Sequence, residues 1–199
     1  MSQEVFDAAI KLAADHDKMV TLGGGEPTLH PLFESFLWQS IKALWRVTFD
    51  ADCPAVGLVT NGSATKTAID LAHLAQTGYI WAAVSQDDWH DEIDPRVFEA
   101  FRKNVKRNEW GSPTRENDRD YREIRSVSNI VSAGRAKAND LGNVRAGRCA
   151  CEGIFIAPDG KVYPCGCKVN PLGNVFEDFE WPEEETCGKQ IEKKELVLT

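Results

Sequence analysis

Five of the six cysteines of this 199-residue chain crowd into its last quarter: Cys149-x-Cys151, thirteen residues, Cys165-x-Cys167, nineteen residues, and Cys187. Thiolates paired at both ends of a short segment can converge on one centre, and in a reducing cell interior disulfides are disfavoured. The clustering therefore points to zinc or an iron–sulfur cluster held by some of Cys149, Cys151, Cys165, Cys167 and Cys187. Cys-x-Cys is less diagnostic than Cys-x-x-Cys, because adjacent thiolates do not always reach the same metal. Cys53, beside Pro54, stands apart and reads as a small apolar residue near a strand start.

A second constellation is the loop "GGGEPTLHP", residues 23–31. Glycine triplets before a helix usually suggest a phosphate cradle, yet no Lys-Ser/Thr pair follows here, and the loop carries a carboxylate, Glu26. A third group is the acidic stretch "SQDDWHDEI", with Asp87, Asp88, His90, Asp91 and Glu92. It reads as a solvated loop with acidic charge before a helix, an acid/base or metal role being the alternative. His30 reads as a residue that shapes its loop, and His16 and His73 as surface residues on helices.

These groups must be positioned by regular elements. Residues 3–15 place Val5, Ala8, Ala9, Leu12 and Ala13 on one stripe at helical spacing. The run 18–23 reads as a buried strand, and helical periodicity resumes from Pro31 to about Val47 through Leu32, Phe36, Leu37, Ile41, Leu44 and Trp45. Trp38 and Trp45, seven residues apart, are expected to fill the core. Residues 55–62 give a second buried strand, Ser63 a cap for the following helix and Gly78 its end. A third strand at 79–85 follows. Asp94 and Pro95 then have the types of an N-cap and first helical residue for a helix to about 105 or 106, and a further strand falls within 122–134. Repeated strand-then-helix units predict a parallel sheet, whose loops at the carboxyl ends of the strands carry function. The loops 23–31, 60–63 and 85–94 would then share one rim. Beyond residue 149, "GIFIA" and "KVYP" read as two strands joined by a "PDG" turn.

In this order and at these intervals, "VTLGGGEPTLHP", "LVTNGSAT", "AAVSQDDWHD" and "VSAGRA" resemble the radical S-adenosylmethionine enzymes. "CACEGIFIAPDGKVYPCGC" followed by "PLGNV" resembles the auxiliary-cluster domains of that superfamily known as SPASM and twitch. The resemblance covers roughly residues 1–175 and is specific in combination. It implies an α/β fold: an incomplete parallel (β/α)6-type partial TIM barrel over 1–147, a small Cys-rich β-hairpin domain over 148–188, and a tail over 189–199.

In that family the Gly-Gly-Glu-Pro loop binds the amino group of S-adenosylmethionine, a role the resemblance carries to Gly24, Gly25, Glu26 and Pro27. Glycines let the backbone approach the ligand, Pro27 fixes the exit of the turn, and Glu26 can supply a counter-charge to an ammonium. Asn61 and Ser85 fall where family members contact the methionine carboxylate or ribose, and Arg135, in Gly134-Arg135-Ala136, would lie against the adenosine. Cys149, Gly160 and Cys165 satisfy the auxiliary pattern Cys-x9–15-Gly-x4-Cys with a gap of ten residues. The larger SPASM run of cysteines is not matched, so the resemblance implies one auxiliary 4Fe-4S cluster, with zinc as the alternative.

The family's catalytic Cys-x3-Cys-x2-Cys loop does not occur in these 199 residues. The resemblance would place it, with the first strand, upstream of Met1, through either a late start or a natural loss. Two functions follow as expectations. One is a radical enzyme, in its complete form, that acts on a peptide or small-molecule substrate. The other is a non-catalytic truncated homologue, a metal-binding module whose exposed sheet edge is covered by a protein partner or a second copy.

Composition narrows the setting. Hydrophobic residues make up 42% and charged residues 27% of the chain, near globular averages. A formal net charge of −8 argues against a broad nucleic-acid footprint, and the mixed-sign run 102–125 reads as a solvated helix end and loop. The acidic N-terminus lacks the basic and apolar regions of a signal peptide, and no apolar stretch approaches a membrane span, so a cytoplasmic setting is expected.

Overall fold

The computed structural model describes residues 1–16, 18–50, 53–86, 91–103, 106–107, 113–114, 119–126, 153–166 and 168–181. It divides into two compact units, Ala13–Ser128, and Met1–Leu12 together with Asn129–Thr199. The fold is mixed α/β. Helix α1 spans Gln3–Asp15 and buries Val5, Phe6 and Ala9. Phe6 therefore belongs to the buried face, while Ala8, Leu12 and Ala13 are only half-buried. Among the described residues no helix is long and apolar enough to cross a membrane.

Among the described residues the larger unit is built on four strands, β1 (Val20–Leu22), β2 (Val56–Thr60), β3 (Trp81–Gln86) and β6 (Arg122–Ser126), in the order β1-β2-β3-β6 with every pairing parallel. Two short strands, β4 (Lys106–Arg107) and β5 (Pro113–Thr114), pair antiparallel between β3 and β6 in the chain. Parallel neighbours need crossovers. Helix α2 (Phe33–Ala43) and helix α3 (Trp45–Asp50) lie between β1 and β2, α4 (Thr65–Gln76) between β2 and β3, and α5 (Pro95–Phe101) between β3 and β6.

Register decides which side chains are buried. Leu58 opposes Leu22 and Ala82, and Ala82 opposes Arg122, so alternation puts Val56, Leu58, Thr60, Ala82, Val84 and Arg122 on one buried face. Helices α4 and α5 pack against β3 and β6 there, through Ala68, Leu71, Ala72, Ala75, Val97 and Phe101. The alanines let α4 approach closely, and each fully buried large apolar side chain contributes about 1.5–3 kcal/mol. The opposite face carries Thr21, Gly57, Val59, Trp81, Ala83, Ser85, Glu123 and Arg125, several of them half-buried or exposed. On it, Trp81 lies over Gly57, and the Arg125 guanidinium sits 5.3 Å from the Trp81 ring centroid.

Several local expectations change. β1 is less buried than its apolar run suggests: among the described residues it lies at the expected sheet edge and pairs with β2 alone, Thr21 is exposed, and Val20 and Leu22 are half-buried. The single helix expected from Pro31 to Val47 is two, interrupted at Leu44 with φ −105° and ψ 14°. Trp38 and Trp45 do not fill the core, being 53% and 39% exposed. The buried stripe runs through Phe33, Leu37, Ile41 and Leu44, and Trp38 stands about 100° round the helix from Leu37. A seven-residue spacing puts two residues on one face only within an unbroken helix, and the break at Leu44 separates these two. Trp45 instead meets the Tyr79 ring at 5.4 Å.

Ser63 does not cap α4, whose N-cap is Ala64 without a side-chain bond; the Ser63 N–H donates to Asn61 Oδ1 at 2.9 Å. Gly78 does end that helix. With φ +80° it allows Tyr79 N–H to reach Leu74 O and its own N–H to reach Ala75 O, the paired bonds of a Schellman cap. Asp94 caps α5 by accepting from Arg96 N–H at 2.9 Å, with Pro95 in the first turn, and the helix ends at Phe101, short of the expected 105. The side-chain hydrogen bond from Arg96 lowers the Asp94 pKa to about 2.

In the second unit, β7 (Phe155–Ile156), β8 (Lys161–Tyr163) and β9 (Gly173–Asn174) form an antiparallel sheet. Its first turn is closed by Gly160 N–H to Ala157 O at 2.9 Å and Ala157 N–H to Lys161 O at 2.8 Å. Gly160 has φ +85°, and a Cβ there would stand 2.9 Å from Asn174 Oδ1. Gly160→Ala is therefore expected to weaken this sheet by about 1–2 kcal/mol, read as faster amide exchange at Ala157 and Leu172.

Candidate functional site

The best-defined polar cluster lies at the carboxyl ends of β1 and β2. After β1 the chain passes Gly23, Gly24 and Gly25, all exposed, and enters a one-turn 3-10 helix, Pro27–Leu29, with Glu26 as its N-cap. Gly24 has φ +145°, and among the described residues a Cβ added to any of the three glycines would meet nothing within 4 Å. The loop backbone thus borders open space. Pro27 is buried at the first position of the turn, where its fixed φ suits the helix and no N–H is needed.

Glu26 is half-buried, and its carboxylate accepts four hydrogen bonds. Oε1 accepts from Thr28 N–H at 3.2 Å, from Thr28 Oγ1 at 2.6 Å and from Thr60 Oγ1 at 2.8 Å. Oε2 accepts from Asn61 N–H at 2.6 Å. Thr60 is 1% exposed, and its hydroxyl also accepts from Gly62 N–H at 3.0 Å. The Gly-Gly-Gly-Glu-Pro and Thr-Asn-Gly segments, more than thirty residues apart in the chain, are thereby tied together.

Asn61 follows β2 and commits its Oδ1 to Ser63 N–H, leaving its amide nitrogen as the donor outside that turn. Thr60 opposes Val84, so Asn61 stands level with Ser85, which is half-buried near the end of β3. Gly24, Gly25, Glu26, Pro27, Asn61 and Ser85 therefore all lie at the carboxyl ends of three adjacent parallel strands. Arg135 lies outside the described residues, as do Asp87, Asp88 and His90; Asp91 and Glu92 are exposed. His30 shapes the loop. Its Nδ1 accepts from Leu32 N–H at 3.1 Å, and its ring stacks on Phe36 at 5.2 Å.

Thr28 and Thr60 were not singled out from sequence, although they supply three of the four donors to Glu26. A threonine at the end of an otherwise apolar strand was the available signal, since a buried hydroxyl needs a partner.

Of the C-terminal cysteines, Cys165 is described and is buried just beyond β8; its carbonyl accepts from Lys168 N–H at 3.2 Å. Cys149, Cys151, Cys167 and Cys187 lie outside the described residues. Among the described residues no three His, Cys, Asp or Glu side chains are grouped to hold a metal. Cys53 is an exposed free thiol whose pKa partial burial raises. Compared with known proteins, the chain matches no family model, no curated protein and no solved structure.

Proposed function

We propose that this chain is a radical S-adenosylmethionine-type protein, with an incomplete (β/α)6-type barrel that holds the methionine end of S-adenosylmethionine at the carboxyl rim of its parallel sheet. The observation that carries the reading is the tie from the Glu26 carboxylate to Thr60 and Asn61, which joins the two motifs that would bind that end of the ligand. The residues present fit such a ligand. Open space beside Gly23–Gly25 admits the ligand to the backbone, and the Asn61 amide nitrogen can donate to a carboxylate. The adjacent Ser85 hydroxyl suits a ribose. In a complete form that also carries the Cys-x3-Cys-x2-Cys cluster as electron donor, bound S-adenosylmethionine would supply a radical for hydrogen abstraction from a peptide or small-molecule substrate.

The auxiliary 4Fe-4S ligands would come from Cys149, Cys151, Cys165, Cys167 and Cys187, thiolates being the donors such clusters take. The full chain, purified anaerobically, is expected to carry iron and sulfide and to bind S-adenosylmethionine in equilibrium dialysis. Cys149→Ala and Cys165→Ala should each abolish the bound metal. Zinc as the only metal, with no binding of S-adenosylmethionine, would overturn this reading and leave a metal-binding interaction module in its place.

A further inference from the structure

We infer that Glu26 is a positioning residue, which fastens the glycine loop to the carboxyl end of β2 so that the loop backbone and the Asn61 side chain, rather than the Glu26 charge, read the ligand. This rests on the S-adenosylmethionine reading for the identity of the ligand, but not for the clamp itself.

A carboxylate offers about four lone-pair sites. Four donors already reach Glu26, three of them at 2.8 Å or less, and charge-assisted bonds of that length are the strong ones. The negative charge is satisfied from within the fold. Each donor belongs to a segment that must be held still: Thr28 in the turn after the glycines, and Thr60 and Asn61 at the end of β2. Through Thr60 Oγ1 the network extends to Gly62 N–H, in a turn with φ +76°. On the other side of Glu26, a Cβ built on any of the three glycines would meet none of the described residues within 4 Å. Ordering and reading are thus divided between neighbouring residues.

Glu26→Gln discriminates between a clamp and a counter-ion. If the glutamine oxygen takes the three bonds of Oε1, its amide NH2 faces the Asn61 N–H, donor against donor, and one arm of the clamp opens. Thr60→Val keeps the shape of a side chain too buried to touch a ligand, but removes a hydroxyl from Glu26 and from Gly62. Thr60→Ser keeps that hydroxyl. In the full chain, Glu26→Gln and Thr60→Val are each expected to weaken S-adenosylmethionine binding about tenfold, with Thr60→Ser near wild type.

Two further measurements separate the outcomes. The sulfonium analogue that lacks the α-amino group should lose the same factor in Glu26→Gln as S-adenosylmethionine does. In the ligand-free protein, amide exchange at Thr28 and Asn61 should accelerate about tenfold in Glu26→Gln. A loss of binding confined to the ligand with the amino group, or unchanged exchange at Thr28 and Asn61, overturns the clamp. If the wild-type chain binds no S-adenosylmethionine, the functional reading fails, and the exchange experiment alone still decides the role of Glu26.

Discussion

Asp120→Ala should destabilise the Ala13–Ser128 unit by about 3 kcal/mol in urea denaturation at pH 7, because it strands a buried guanidinium. Arg122 begins β6 with its side chain 8% exposed. Its Nε donates to Asp120 Oδ1 at 2.9 Å, one terminal nitrogen to Asp120 Oδ2 at 2.7 Å, and the other to Ala100 O at 2.7 Å. That arrangement staples the start of β6 to α5, whose final turn includes Ala100. Arg122→Met should cost less than Asp120→Ala, since the carboxylate it leaves is nearer solvent and the methionine still fills the site. The double variant should recover part of the loss.

The same pair sets a pH dependence. Burial pushes the Asp120 carboxyl up, but the hydrogen bonds from Arg122 and the charges of Arg122 and Lys103 outweigh it, so its pKa lies below the usual value. A depressed folded-state pKa stabilises the fold above the unfolded carboxyl range, near pH 4, and that contribution is lost as pH falls through the folded value. The gap between wild type and Asp120→Ala should accordingly narrow when urea midpoints are compared at pH 7 and pH 3. An unchanged gap would show that the pair contributes through shape rather than charge.

Gly57→Ala should cost about 2–3 kcal/mol, an overpacking penalty in the middle of the sheet. A Cβ on Gly57 would lie 1.8 Å from Trp81 Cε2, a separation no ring tolerates, so the indole must swing off β2. Doing so also breaks its contact with Arg125. Gly57 and Trp81 are register partners on adjacent strands, and their effects should not add. Gly57→Ala placed on a Trp81→Val background should cost under 1 kcal/mol by the same urea measurement. A full penalty on that background would mean that another neighbour fills the space.

Much of the order of elements was legible in the sequence, for local reasons. Asp94-Pro95 prescribed a helix start, Gly78 a helix end and Pro158-Asp159-Gly160 a turn, because each residue type has a backbone preference that needs no distant partner. Apolar runs within 18–23, 55–62 and 79–85 marked the three strands whose carboxyl ends carry the candidate residues. Where a reading required knowledge of what lies across a face, it failed. Trp38 and Trp45, expected on one buried helical face, fall on two successive helices and neither is buried, and Ser63 yields its capping role to a turn closed by Asn61.

The sequence by itself determined that strands alternate with helices, and that a glycine-rich loop with one carboxylate follows the first strand of this sheet. Only the tertiary structure decided what that carboxylate touches. Thr60 and Asn61 are more than thirty residues from Glu26 in the chain, and they meet it because β1 and β2 are parallel neighbours whose carboxyl ends fall on one rim. Local preference sets backbone conformation residue by residue, whereas hydrogen-bond partners across strands depend on register, which exists only once the sheet has formed.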